Sequence, residues 1–113
     1  MRSKVIALLF SLAALAACGK LSRDERRGAE AISRYGCGSC HTIPRIHGAH
    51  GKVGPPLGGI GGRMYAAGVL LNTPSNLALW VERPSSVKQT VMPDLGVTPV
   101  DAADIAAFLE QLK

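Results

Sequence analysis

The chain has 113 residues, which is room for one small domain. Its formal charge is +5, but the cations are spread along the chain rather than clustered, which argues against a nucleic-acid-binding protein. Tryptophan, tyrosine and phenylalanine make up only 4% of the residues, so a core built from side chains alone would be thin. This composition favours a large apolar group bound at the centre.

The first 17 residues have the pattern of a secretory signal peptide. Arg2 and Lys4 precede the apolar run "VIALLFSLAALAA" (residues 5–17), which is shorter than the roughly 20 residues that cross a bilayer. Cleavage after residue 17 would remove two of the thirteen cations and lower the formal charge from +5 to +3. The alternative is an uncleaved signal anchor.

The end of this run, "LAAC" (residues 15–18), resembles the lipobox of bacterial lipoproteins. The resemblance implies that Cys18 becomes the N-terminus and carries a diacylglyceryl group, with residues 18–22 as a tether and residues 23–113 as the domain. The protein would then be exported and anchored on the periplasmic side of a membrane through its lipid. The alternative is an ordinary signal peptide cut nearby, which leaves a soluble protein with a free thiol.

A first helix is predicted from Arg23 to near Gly36. The segment has a charged start, and Ala29, Ile32 and Tyr35 follow helical spacing. Gly28 lies inside this helix, where glycine costs about 1 kcal/mol relative to alanine. We therefore expect another segment to approach the helix closely at this position.

The middle of the chain is predicted to be a long loop followed by a short helix. Residues 42–63 contain seven glycines and three prolines, which excludes regular structure over any length. Residues 72–84 contain a short helix that Thr73 or Ser75 can cap and that ends before Pro84.

A further helix is predicted at the C-terminus. Thr98 is the expected cap, Pro99 suits the first helical position, and Asp101 would complete a capping box. The apolar face of this helix comprises Ile105, Phe108, Leu109 and Leu112. No stretch alternates with a period of two, so we expect an all-α domain of three to four helices with essentially no sheet.

Residues 36–41 read "GCGSCH", a pattern that three kinds of site could use. A thioredoxin-like redox pair needs a βαβ context, which this chain does not predict. A zinc site would combine Cys37 and Cys40 with two of His41, His47 and His50, but neighbouring Cys40 and His41 are poorly placed to share one tetrahedral ion. The third reading is covalent attachment of a c-type haem, for which C-x-x-C-H is the signature.

The haem hypothesis uses every residue of the motif. Cys37 and Cys40 would form thioethers with the two vinyl groups, and His41 would be the proximal ligand of the iron. Met92, in a loop before the last helix, is the expected sixth ligand, whereas Met64 is expected to pack in the core. An iron with both axial positions filled by protein transfers electrons and neither catalyses a reaction nor binds a small-molecule substrate.

From about residue 24 to residue 113 the chain resembles a class I monohaem c-type cytochrome. Besides the attachment motif, "GPPLGGIGGR" (residues 54–63) is similar to the G-P-x-L-x-G-x-x-G-R motif of that family. The resemblance implies that the Pro55 carbonyl accepts the N–H of His41, that Arg63 approaches a haem propionate, and that Trp80 lines the haem pocket. It also implies that Gly28 lets the C-terminal helix cross closely.

Within that family, residues 72–93 are most similar to the cytochrome c domain fused to subunit II of some haem–copper oxidases. The three residues before Met92 are Gln-Thr-Val, where relatives often have proline and glycine. The resemblance implies one covalent haem c and single-electron transfer between a dehydrogenase or quinol-oxidising complex and a terminal oxidase. Alternatives are a fixed haem subunit of a larger membrane oxidoreductase, or a haem-based ligand sensor with an open axial position.

Overall fold

The computed structural model describes residues 20–113. These residues form three α-helices: α1 (Arg23–Arg34), α2 (Pro74–Glu82) and α3 (Pro99–Glu110). Short 3₁₀ turns occupy Cys37–Ser39, Ile60–Gly62 and Pro84–Ser86. The predicted all-α class is confirmed. The expected signal peptide and Cys18 lie outside the described residues.

Within residues 20–113, no helix combines the length and the hydrophobicity that crossing a membrane requires.

Helix α1 begins at a complete capping box. The Ser22 hydroxyl accepts a hydrogen bond from the Glu25 backbone N–H at 3.2 Å, and the Glu25 carboxylate accepts one from the Ser22 N–H at 2.8 Å. The helix ends at Tyr35 and Gly36, and Gly36 has a φ of 74°, which glycine adopts without strain. The observed bounds agree with the helix predicted from the sequence.

Helices α1 and α3 cross at Gly28. A Cβ atom placed on Gly28 would lie 2.0 Å from the backbone oxygen of Asp104 and 2.9 Å from the Cβ of Phe108. The predicted close approach is therefore present, and only glycine fits there. The core around the crossing is apolar, and its most deeply buried side chains include Ile32, Ile105 and Phe108.

A polar cluster joins the end of α1 to the start of α3. The Tyr35 hydroxyl donates to the Asp101 carboxylate at 2.6 Å, and Arg34 donates to the same oxygen at 3.1 Å. The bond from Tyr35 is the main reason that the pKa of Asp101 lies below its ordinary value. Thr98 caps α3, accepting from the Asp101 N–H at 3.2 Å. The predicted capping box is wrong in its second half, because the Thr98 N–H donates to Tyr35 and not to Asp101.

Residues 42–63 form the irregular loop that was predicted, and backbone hydrogen bonds hold it in place. The Gly51 N–H donates to the Gly38 carbonyl at 2.9 Å and the Gly54 N–H to the Cys40 carbonyl at 2.7 Å. At the far end of the loop, the Gly61 N–H donates to the Leu112 carbonyl at 2.8 Å. The loop is thus fastened both to the cysteine turn and to the end of α3.

One small element was not predicted, an antiparallel hairpin of β1 (Tyr65–Ala66) and β2 (Leu70–Leu71). Its turn contains Ala67 and Gly68 with φ values of 54° and 74°, as in the turns that suit the twist of a hairpin. Strands of two residues are too short to show alternation in a sequence, which is why the pattern gave no sign of them.

The Gly28 crossing leads to a stability prediction. Replacing Gly28 with alanine should push α1 and α3 apart and lower the free energy of unfolding by about 2 kcal/mol, even though alanine is the better helix former. Gly62→Ala is the matched control, since a Cβ at Gly62 meets no atom within 4 Å, and it should change stability by less than about 0.5 kcal/mol. Denaturant unfolding of the mature protein measures both. A Gly28→Ala protein as stable as wild type would contradict the crossing.

Candidate functional site

A cavity of about 490 Å³ lies between the cysteine turn, the glycine loop, the hairpin, α2 and the segment that carries Met92. This volume is in the range of cofactor sites. The residues predicted from the sequence that line the cavity are Cys40, His41, Pro55, Arg63, Trp80 and Met92. Cys37 is the exception: it is half-buried and packs against the core instead.

The lining of the cavity suits a ligand with an apolar body and negative groups. Apolar side chains make up much of the wall, and two of them, Val53 and Val91, have 76% and 92% of their surface exposed. Exposed apolar side chains around a concavity mark a ligand site. The lining also includes Arg63 and Lys88, and within the described part of the chain no Asp or Glu lines it. A haem, which is a large apolar ring bearing two carboxylates, fits this wall.

The cysteine turn is the 3₁₀ turn Cys37–Ser39, and Cys40 and His41 follow it directly. The Cys37 carbonyl accepts hydrogen bonds from the Cys40 and His41 N–H groups at 3.2 and 3.1 Å. Cys37 and Cys40 do not form a disulfide, and burial raises the pKa of the Cys37 thiol above its ordinary value. A redox-active or nucleophilic cysteine needs a lowered pKa, so Cys37 does not have the environment of a thioredoxin-like nucleophile.

The imidazole of His41 has a defined orientation. Its Nδ1 lies 2.7 Å from the carbonyl oxygen of Pro55, which is the contact that the resemblance implied. A carbonyl can only accept, so Nδ1 carries the proton and Nε2 keeps a lone pair for a ligand. Gly54 packs against the ring, because a Cβ there would lie 2.4 Å from Cε1. The orientation of the imidazole is therefore fixed by its hydrogen bond to the Pro55 carbonyl and by packing against Gly54.

Arg63 stabilises the glycine loop from within. Its guanidinium donates to the carbonyl oxygens of Pro56 and Gly58 at 3.0 and 3.2 Å. The side chain also lines the cavity. Its expected contact with a propionate stays a prediction, and the structure adds that the same guanidinium shapes the loop.

Met92 lies in a loop that is closed at its base. The Ser85 N–H donates to the Asp94 carboxylate at 3.0 Å and the Ser85 hydroxyl to its other oxygen at 2.5 Å. These hydrogen bonds, led by the one from the hydroxyl, hold the pKa of Asp94 below its ordinary value. The Met92 N–H donates to the Thr90 hydroxyl at 3.2 Å. The loop therefore presents the half-buried Met92 to the cavity.

The prediction that Met64 packs in the core is wrong. Met64 is 72% exposed and does not line the cavity. The physical reason is its position directly before β1, where its carbonyl accepts the Asn72 N–H at 2.9 Å and its side chain is left at the surface.

Tyr65 and Ala67 line the cavity and were missed by the sequence reasoning. Tyr65 carries a signal that could have been used, since it is one of few aromatic residues and follows the glycine run by two positions. Ala67 carries none. His47 and His50 are exposed. Among residues 20–113 no three His, Cys, Asp or Glu side chains meet as a metal site.

The packing of Gly54 against His41 can be tested. Gly54→Ala should force the imidazole to turn or the loop to shift, with a loss of about 1–3 kcal/mol in the free energy of unfolding. It should also displace the NMR signals of the His41 ring. Gly58→Ala is the control, since its Cβ would meet only Pro44 at 3.5 Å. Equal effects of the two substitutions would show that the glycine at 54 has no special relation to the ring.

The comparison with known families agrees with this site. The family model described as Cytochrome c matches residues 26–113, which is more than three quarters of the chain. No curated protein and no solved structure matches the chain. The matched span contains the cysteine turn, the glycine loop, the hairpin, α2 and the segment that carries Met92, so it covers every wall of the cavity. The chain belongs to the cytochrome c family and is an electron-transfer protein with a covalently bound haem c.

Proposed function

We propose that this cytochrome is a membrane-anchored carrier of single electrons whose haem iron is ligated by His41 and Met92. The observation that carries the proposal is that the C-x-x-C-H turn and Met92 border one cavity of haem size. The family match supports electron transfer through haem. The axial ligands, the anchor and the partners are our inference from the residues.

The haem supplies a reversible one-electron change at its iron. Cys37 and Cys40 would hold it through thioethers, in which each S–H is added across one vinyl double bond and no leaving group is needed. Nε2 of His41 is free to ligate iron because Nδ1 donates to Pro55, and this hydrogen bond also orients the ring and raises its basicity. The Met92 thioether is a soft ligand, which favours ferrous iron and raises the reduction potential.

The two cations of the cavity wall can stabilise the carboxylates of a bound haem. Burying a carboxylate without a partner is costly, and a nearby cation reduces the cost. Arg63 and Lys88 are the fixed cations that line the cavity. We infer that Arg63 partners a haem propionate, as the family resemblance implies, while it keeps its bonds to the loop carbonyls.

Partners would dock at the open side of the cavity. Val53 and Val91 are exposed there and give an apolar contact area of the kind that brief redox encounters use, which typically bury less than about 1,200 Å². We propose a dehydrogenase or quinol-oxidising complex as the donor and a terminal oxidase as the acceptor. A lipid on Cys18 would confine the protein to the membrane surface and raise its effective concentration near such partners.

Carbon monoxide tests the axial ligands. If Met92 fills the sixth position, the reduced wild-type protein should not bind carbon monoxide at neutral pH, whereas Met92→Ala should bind it stoichiometrically. The Soret absorption reports binding. Met64→Ala is the control, because Met64 does not line the cavity, and it should behave like wild type. Rapid stoichiometric binding by wild type would instead support the sensor alternative.

The anchor is tested at Cys18. Replacing Cys18 with serine should release the protein from membranes into the soluble fraction and remove the mass of the acyl groups, because one diacylglyceryl group contributes about 0.8 kcal/mol per buried CH₂. Mass spectrometry and membrane fractionation of cells that express each form give the two readings. Unchanged mass and unchanged membrane association would rule the lipid anchor out.

A further inference from the structure

We propose that Lys88 is a positioning residue that straps the Met92 loop across the cavity and thereby protects the sixth position of the iron from outside ligands. The inference rests on the proposed ligation by His41 and Met92. It assigns to Lys88 a role in holding the loop closed, separate from any effect of its charge on redox partners.

The first observation is a hydrogen bond across the cavity. The Lys88 ammonium donates to the carbonyl oxygen of Ala67, a residue 21 positions earlier in the chain. Ala67 lies in the turn of the hairpin with a φ of 54°, and both residues line the cavity. The bond therefore joins the Met92 loop directly to the hairpin on another wall.

The second observation is the position of the same ammonium over an aromatic ring. Nζ of Lys88 lies 5.5 Å from the centroid of the Trp80 ring. This is within the range of a cation–π interaction. Trp80 belongs to α2 and lines the cavity. One ammonium group thus connects three walls, namely the Met92 loop, the hairpin and α2.

The third observation is how little else holds this loop to its surroundings. Among residues 20–113, the other hydrogen bonds of segment 87–93 stay within residues 84–92, and the bonds between Ser85 and Asp94 close only its base. Loops with few buried contacts and exposed hydrogen bonds open at low free energy. Lys88 is the polar contact that opposes such opening.

The effect on ligand binding follows from a simple equilibrium. An outside ligand reaches the iron only when the Met92 loop is open, so its apparent affinity is the intrinsic affinity scaled by the open fraction. A hydrogen bond and a cation–π contact at an exposed site together shift such an equilibrium by roughly three- to tenfold. Removing Lys88 should therefore tighten the binding of an outside ligand by that factor.

Imidazole is the suitable probe, because it is neutral near pH 8 and responds little to the loss of one positive charge. The oxidised holoprotein is titrated with imidazole, and the Soret band and the sulfur-to-iron charge-transfer band are followed. Lys88→Met and Lys88→Gln should both bind imidazole about three- to tenfold more tightly than wild type. Lys88→Arg should stay within twofold of wild type, because the guanidinium can donate to the Ala67 carbonyl and stack on Trp80.

Lys52→Met is the matched control. Lys52 is exposed and next to Val53 of the cavity wall, but it does not line the cavity. The substitution Lys52→Met removes the same positive charge as Lys88→Met. It should bind imidazole like wild type. The strap is overturned if both Lys88→Met and Lys88→Gln stay within twofold of wild type, or if Lys52→Met has an equal effect.

Failure of the underlying ligation has a different signature. A wild-type protein without the sulfur-to-iron band, or one that binds imidazole as tightly as Met92→Ala does, would show that Met92 is not the ligand. A wild-type protein with that band, and with an affinity unchanged by either Lys88 substitution, would show that Met92 ligates and that Lys88 is not the strap.

Discussion

The hydrogen bond between His41 and the Pro55 carbonyl is the contact on which the site depends. It joins the cysteine turn to the glycine loop, and it leaves Nε2 of the imidazole free. Gly54 makes the contact possible, since any side chain there would occupy the space of the ring. The neighbouring bond from the Gly54 N–H to the Cys40 carbonyl strengthens the same junction. Backbone geometry and ligand chemistry are therefore set by one pair of residues.

The helices hold in place the segments that form this junction. Two contacts hold the chain on either side of the junction: Asp101 of α3 binds Tyr35 just before the cysteine turn, and the Leu112 carbonyl, just after α3, accepts from the Gly61 N–H of the glycine loop. The Gly28 crossing keeps α1 and α3 close enough for both contacts. A thin core suffices because the helices need only to hold the ends of the turn and the loop, while the haem supplies the apolar bulk at the centre.

Much of this could be predicted from the sequence where a residue type has one physical use. Gly28 predicted the crossing, the candidate caps Thr73 and Thr98 predicted the starts of α2 and α3, and the glycine run predicted a loop beside the cysteine turn. Residues whose role depends on distant partners could not be placed. Asp101 looked like half of a capping box because Tyr35, 66 positions earlier, is not visible as its partner in the sequence. Met64 looked like core because hydrophobicity alone does not reveal an exposed position before a hairpin.

The role of Lys88 could not be predicted from the sequence either, since its contacts with the hairpin turn and Trp80 arise only in the folded chain. All of these roles presuppose that the haem is bound through both Cys37 and Cys40. The most direct measurement is the absorption spectrum of the purified, mature protein denatured in alkaline pyridine. The account predicts the spectrum of a haem with both vinyl groups saturated, and a pigment that stays with the polypeptide in acidified acetone. A colourless protein, or a pigment that the acetone extracts, would contradict it.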